Sequence, residues 1–144
     1  MPIEDLLTAS NKKLHRIGPD ETVKAAVAML AENDIGAIPV CDDTGKLIGI
    51  FSERDIVRTI NRADADIETM KVSEIMKTNV ITGAPEDKIR DIIAIMKEKR
   101  IRHVPVLKDG ELVAMFSVRD LFSHVLEATQ AQRDTMTLAY EMLR

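Results

Sequence analysis

The chain repeats itself, and the repeat constrains its fold more than any other feature. Residues 20–40, DETVKAAVAMLAENDIGAIPV, align without a gap on residues 86–106, EDKIRDIIAIMKEKRIRHVPV. Five of these 21 positions are identical: Ala28/Ala94, Glu32/Glu98, Ile35/Ile101, Pro39/Pro105 and Val40/Val106. One deletion later, GKLIGIFSERDIV (45–57) aligns with GELVAMFSVRDLF (110–122), and six of these 13 positions match, Phe-Ser-x-Arg-Asp among them. A period near 65 is too long for a solenoid unit and indicates tandem duplication of one small α/β module.

Each copy has the same local grammar. Val23, Ala26, Val27 and Leu30, and likewise Ile89, Ile92, Ile93 and Met96, follow the i, i+3, i+4, i+7 spacing of an amphipathic helix. Pro19 and Pro85 precede these helices, where proline is tolerated. Strands are predicted at Ala37–Cys41 and Leu47–Phe51, and at His103–Leu107 and Leu112–Phe116, with turns at DDTG and KDG. Pro39 and Pro105 cannot donate to a ladder, which predicts an edge position or a place at the strand's start. A second helix opens at Ser52 or Ser117. A ~60-residue unit buries too little apolar surface to be secure alone, so the two copies are expected to pack through their sheets around one shared core.

Bulk properties exclude several function classes. The formal charge of −4, from 20 Lys+Arg and 24 Asp+Glu, argues against a general nucleic-acid binder. No apolar run reaches the ~18 residues of a membrane span, and MPIEDLLTASNKK lacks the order of a secretory signal. The single cysteine, Cys41, fits a reducing cytoplasm and reads as a small buried residue at a strand end. His15, His103 and His124 lack metal-ligand spacing. There is no nucleophile–base pair, no paired catalytic carboxylates and no P-loop, so the chain reads as non-enzymatic, with no metal and no catalytic cofactor.

The segments DIGAIPV…GKLIGIFSERDIV and RIRHVPV…GELVAMFSVRDLF each resemble a cystathionine-β-synthase (CBS) motif, and the whole resembles a CBS pair, or Bateman module. VSEIM (72–76) resembles the family's lead-in, and IEDLL (3–7) its degenerate counterpart. The resemblance places a CBS pair at 1–126, with motifs at about 3–62 and 72–126, and a helical extension at 127–144. It implies an α/β (α+β) fold of two small sheets flanked by helices, with pseudo-two-fold symmetry. It also implies a regulatory, energy-sensing module that binds an adenosyl ligand in the cleft between its motifs. AMP is the first expectation, with ADP, ATP, S-adenosylmethionine and NAD(H) as alternatives. Two modules commonly form a homodimeric disk. With no catalytic or transport domain fused, the regulated partner is expected to act in trans. The competing reading is a structural dimerisation module with vestigial pockets.

Candidate site residues follow from the repeat and the resemblance together. Ser52–Asp55 and Ser117–Asp120 read as capping boxes. A helix N-terminus also suits phosphate, and an ionised Asp suits the ribose hydroxyls; the family uses these positions so. Arg54 and Arg119 are phosphate candidates or solvated first-turn arginines. Arg102 and His103 replace Gly36 and Ala37 of the first copy, so the strand itself does not require a basic pair. They read either as phosphate ligands or as a surface arginine and a satisfied histidine. The family's adenine positions map to Thr82, Gly83, Ala84, Met115 and Phe116, and in the first copy to Arg16, Ile17, Gly18, Ile50 and Phe51. Met115 and Phe116 read equally as core. Because Arg16 and Gly36-Ala37 depart from the pattern, the second-copy site is favoured.

The tail, VRDLFSHVLEATQAQRDTMTLAYEMLR (118–144), lacks Gly and Pro. Its stripe of Leu121, Val125, Ala128, Ala131, Met136, Ala139, Tyr140 and Leu143 predicts one long helix that packs on another chain.

Overall fold

The structure, a computed structural model, describes residues 1–127 and 133–144. In chain order the elements are α1 (Ile3–Ala9), α2 (Val23–Asn33), β1 (Ala37–Cys41), β2 (Leu47–Ser52), α3 (Glu53–Ile60), α4 (Val72–Ile75), α5 (Ile89–Lys99), β3 (His103–Lys108), β4 (Glu111–Ser117), α6 (Val118–Leu126) and α7 (Arg133–Leu143). They form two two-stranded antiparallel sheets, β1–β2 and β3–β4, flanked by helices, with a C-terminal helix. The expected helix–strand–strand–helix order holds in both copies.

The chain divides into two compact units, His15–Val80 and Met1–Leu14 with Ile81–Arg144. Each has its own hydrophobic cluster, which corrects the expectation of a single shared core. One cluster is built on Ile17, Val23, Ala26, Leu30, Ile38, Val40, Phe51 and Val72. The other contains Ile3, Leu6, Ile89, Ile93, Met96, Val104, Phe116, Leu121 and Val125. The reason lies in the lead-in segments, each of which completes the core of the copy it does not precede. Ile3 N–H donates to the Asp87 carbonyl (2.8 Å) and Ile89 N–H to that of Met1 (2.9 Å). In the same way Val72 N–H donates to the Glu21 carbonyl (2.8 Å) and Val23 N–H to that of Met70 (2.8 Å).

Identical residues of the repeat do identical work. Helices α2 and α5 close on left-handed residues, Asp34 (φ 51°) and Arg100 (φ 55°). Ile35 N–H then reaches back to the Leu30 carbonyl (3.1 Å) and Ile101 N–H to that of Met96 (3.0 Å). This is the closure in which the residue after the left-handed one packs an apolar side chain back on the helix, and Ile35 and Ile101 both pack on their clusters.

The prolines stand on edge strands, as expected, since both sheets are two-stranded, though not at a strand's start. Pro39 and Pro105 are each third in their strand, facing Ile50 and Met115 across the sheet. The opposite side of each strand carries a parallel bridge, Ile17 to Val40 and Gly83 to Val106. That bridge needs only the proline's carbonyl, which accepts from Ile17 N–H (3.1 Å) or Gly83 N–H (2.8 Å). Its second bond uses the amide two residues on, Cys41 or Leu107. The missing proline donor therefore removes no ladder bond. Cys41 is buried at the end of β1, and burial pushes its thiol up despite Arg16.

The tail also differs from expectation. Helices α6 and α7 pack on each other and on α5, so they are not one continuous rod. Ala139 is fully buried, and Met136, Leu138, Met142 and Leu143 pack on the same cluster as Val118, Leu121 and Val125. Lys97 Nζ pairs with Glu141 at 2.5 Å. The tail thus has a partner in its own chain: the apolar face of α5 and α6 accepts it, and the small Ala139 permits close approach. Ala128 and Ala131 lie outside the described residues.

Candidate functional site

In the second copy the strand entrance and the helix start are joined by backbone. The Arg102 carbonyl accepts from Val118 N–H (2.9 Å), and His103 faces Ser117 across the sheet. The first copy forms the same clamp with Gly36 and Glu53 (3.0 Å). The clamp is main-chain only, so it does not account for the basic pair. Arg102 is exposed and His103 half-buried.

Both Ser-x-x-Asp segments cap their helices, as one of the two readings expected. Ser117 N–H donates to Asp120 Oδ2 (2.7 Å), and Asp120 N–H donates to Ser117 Oγ (3.1 Å). Asp55 Oδ2 accepts from Ser52 N–H (2.8 Å) and Ser52 Oγ–H (3.0 Å). The two carboxylates then part company. Asp55 is only 5% exposed. The Asp120 side chain is 28% exposed and carries a second partner, Lys12 Nζ, at 2.6 Å. Partial burial works against its ionisation, but the Lys12 hydrogen bond and charge, with the Ser117 amide, outweigh it and hold the carboxyl below its usual value. A depressed folded-state pKa gives stability that is complete above the unfolded value of ~3.9 and lost as pH falls through the folded one. Wild type should therefore exceed Lys12→Ala in stability by up to ~1 kcal/mol at pH 7. That gap should close as pH falls through the depressed folded-state pKa of Asp120, measurable by urea unfolding across pH.

On the same unit, β4 borders a cavity of about 190 Å³ lined by Leu7, Ser10, Lys12, Lys13, Leu14, Val113, Ala114, Met115 and Phe116, and Lys12 connects this lining to Asp120. This is below the ~300–1,000 Å³ of a complete small-molecule pocket, and suits one ring system. The first copy fills the corresponding place with its own backbone. Ile50 N–H donates to the Lys77 carbonyl (2.9 Å) and Lys77 N–H to that of Ile50 (3.0 Å). A Cβ at Gly49 would lie 2.6 Å from Met76 Sδ and 3.0 Å from the Lys77 carbonyl. Glycine at 49 thus permits the close pass, whereas its counterpart Ala114 borders the cavity. Gly49→Ala should push this segment off β2 and cost about 1–3 kcal/mol in thermal unfolding.

The remaining candidates are more constrained than sequence suggested. Gly83 spends its N–H and carbonyl on β3, and Ala84 N–H donates to Asp87 Oδ2 (2.8 Å). Ile17 likewise spends both main-chain groups on β1, and Gly18 N–H donates to Glu21 Oε2 (2.8 Å). These amides are committed within their own unit. Thr82 and Arg16 are exposed, as are Arg54 and Arg119. Met115 and Phe116 are buried, so the core reading holds for both while they also border the cavity. Phe51 is wholly core. Sequence reasoning missed Lys12, which lies outside the aligned repeat and carries no motif.

Among the described residues, no group of three or more His, Cys, Asp or Glu is placed to hold a metal ion. Nor is any helix long and apolar enough to cross a membrane.

Comparison with known proteins agrees with this architecture. Hypoxic response protein 1 of Mycobacterium tuberculosis is 32% identical over 111 residues, spanning 77% of this chain and 78% of that protein. A CBS-domain-containing protein of Agrobacterium tumefaciens superposes with a TM-score of 0.81 at 31% identity, covering 86% of this chain and 98% of that one. The CBS domain pair of protein MJ0100, crystallised with 5′-methylthioadenosine and S-adenosyl-L-methionine, shares the fold with a TM-score of 0.75 at 24% identity, covering 88% and 95%. The CBS domain model matches residues 3–62 and 72–127, and the chain belongs to that family as a CBS domain pair, a Bateman module.

Proposed function

We propose that this CBS pair is a non-catalytic regulatory protein that binds an adenine nucleotide, AMP or a close relative, through its second copy and acts in trans on a partner in the cytoplasm. The observation that carries this reading is the second copy's open carboxylate. Asp120 stands part-exposed at a helix N-terminus and is paired with Lys12, which lines a cavity together with Met115 and Phe116, whereas Asp55 is buried and its neighbouring strand is covered by Lys77. An ionised Asp accepts from two ribose hydroxyls, the ring lies against apolar side chains, and the N-terminus of α6 with Arg102, His103 and Arg119 attracts phosphate. That the same fold holds adenosyl compounds in MJ0100 supports the ligand class. Ligand binding acts on the partner only to the extent that it favours one conformational state over another.

The test is calorimetric titration of AMP, ATP, S-adenosylmethionine and NADH into the wild type and into Arg102→Gly/His103→Ala. AMP should bind the wild type below millimolar and the double variant about tenfold or more weakly, with the thermal midpoint of the unliganded protein nearly unchanged. If no ligand binds below millimolar, the nucleotide-binding reading fails. If the double variant does not fold, the pair is structural.

One observation favours the second reading, a dimerisation module. On α3, Val57 and Ile60 are 69% and 63% exposed. Their counterparts on α6, Phe122 and Val125, pack within the cluster that α7 joins. The α3 face is the one on which a second copy of the chain would sit. Homodimerisation is compatible with ligand binding and alone remains if the titrations fail.

A further inference from the structure

Lys12 joins two features that are otherwise separate. Its Nζ lies 2.6 Å from Asp120 Oδ2, the same oxygen that caps Ser117, and its side chain lines the cavity along β4. The carboxylate best placed to accept a ribose diol is therefore occupied by a cation of the same chain. Among the described residues nothing comparable stands at the first copy, where Asp55 Oδ2 is held by the amide and hydroxyl of Ser52.

Lys12 comes from the stretch following α1. After α4, the lead-in helix that packs on the first copy, the chain turns extended at Met76 and Lys77 bonds to β2. Helix α1 instead runs to Ala9 and is capped at Ser10. The following residues, Lys12 to Leu14, then border the cavity, leaving room beneath and bringing a flexible four-carbon stem to Asp120. Lysine suits a contact that must open: its ammonium is a compact charge on a mobile stem and makes no fixed bidentate fork.

We propose that Lys12 is a selectivity residue for this site, an internal cation that yields Asp120 only to a ligand carrying both a vicinal diol and an anionic group. This rests on the adenosyl reading of the site. When the diol takes the carboxylate, the displaced ammonium loses its counter-charge; a phosphate on the incoming ligand restores one. A neutral nucleoside opens the pair and leaves Lys12 unpaired, and a sulfonium ligand adds a like charge. Selection thus favours anionic adenosine derivatives over adenosine and S-adenosylmethionine.

The experiment is calorimetric titration of AMP and adenosine into the whole chain as wild type, Lys12→Ala and Lys12→Arg. Lys12 is exposed and outside both clusters, so these variants should fold as wild type does. In Lys12→Ala, adenosine should tighten about threefold, because no ion pair need open. AMP should weaken about fivefold, because the phosphate loses a charged donor. The preference for AMP over adenosine should thus fall tenfold or more, and Lys12→Arg should retain most of it. If both ligands bind Lys12→Ala with the wild-type preference, Lys12 does not select and the inference is overturned while the adenosyl site stands. If neither ligand binds wild type or Lys12→Ala, the adenosyl reading falls, and this inference with it.

Discussion

Ala139→Asp is expected to destabilise the unit containing the second copy by about 3 kcal/mol or more, because it buries a charge with no partner. Ala139 is fully buried in the cluster built on α5 and α6. The sequence alone suggested that this tail packs on another chain, and the two arrangements predict different behaviour. With α7 folded on its own chain, the loss in urea unfolding is independent of protein concentration. If α7 were an intermolecular element, stability would rise with concentration in wild type and the variant would lose that dependence. Glu141→Ala removes only the solvent-exposed pair with Lys97 and should leave the unfolding midpoint nearly unchanged. The contrast separates apolar packing from surface charge as the force that holds α7.

Asp120→Ala is expected to weaken AMP binding about thirtyfold or more. Two hydrogen bonds from ribose hydroxyls to an ionised carboxylate each contribute about 1.5 kcal/mol or more, partly offset by about 1 kcal/mol for opening the Lys12 pair. The substitution also removes the acceptor for Ser117 N–H, so the unliganded protein should lose about 1 kcal/mol as well. Asp120→Asn separates the two effects. Its amide oxygen still accepts from Ser117, so most of the cap survives, but the negative charge is gone and AMP affinity should still fall severalfold.

Much of the local structure was legible in the sequence because it depends on short-range rules. The spacing of Val23, Ala26 and Leu30 and of Ile89, Ile92 and Met96 located both helices, and these residues are the buried ones. The Ser-x-x-Asp segments became capping boxes at α3 and α6. What escaped depends on contacts between distant segments. Nothing in IEDLL reveals that Ile3 and Leu6 pack on Ile89 and Ile93, because lead-in helices of either copy are equally apolar. The prolines were legible as edge residues but not as mid-strand ones, because the bridge beside each takes its carbonyl alone.

The candidate site was legible in outline. Duplication drew attention to Asp55 and Asp120, and the departure at Arg102-His103 singled out the second copy. The difference between the two carboxylates came from elsewhere. Gly49 against Ala114 looks like a trivial substitution, yet it separates a strand covered by Met76 and Lys77 from one bordered by a cavity. Lys12 carries no signal at all: it reaches Asp120 across 108 residues of sequence.

The central claim is one adenine-nucleotide site per chain, held by Asp120. Equilibrium titration of AMP into wild type, Asp120→Ala and Asp55→Ala tests it most directly. The expected result is one AMP per chain in wild type, the same in Asp55→Ala, and binding weakened about thirtyfold or more in Asp120→Ala. Binding lost in Asp55→Ala and retained in Asp120→Ala, or absent from the wild type, would contradict it.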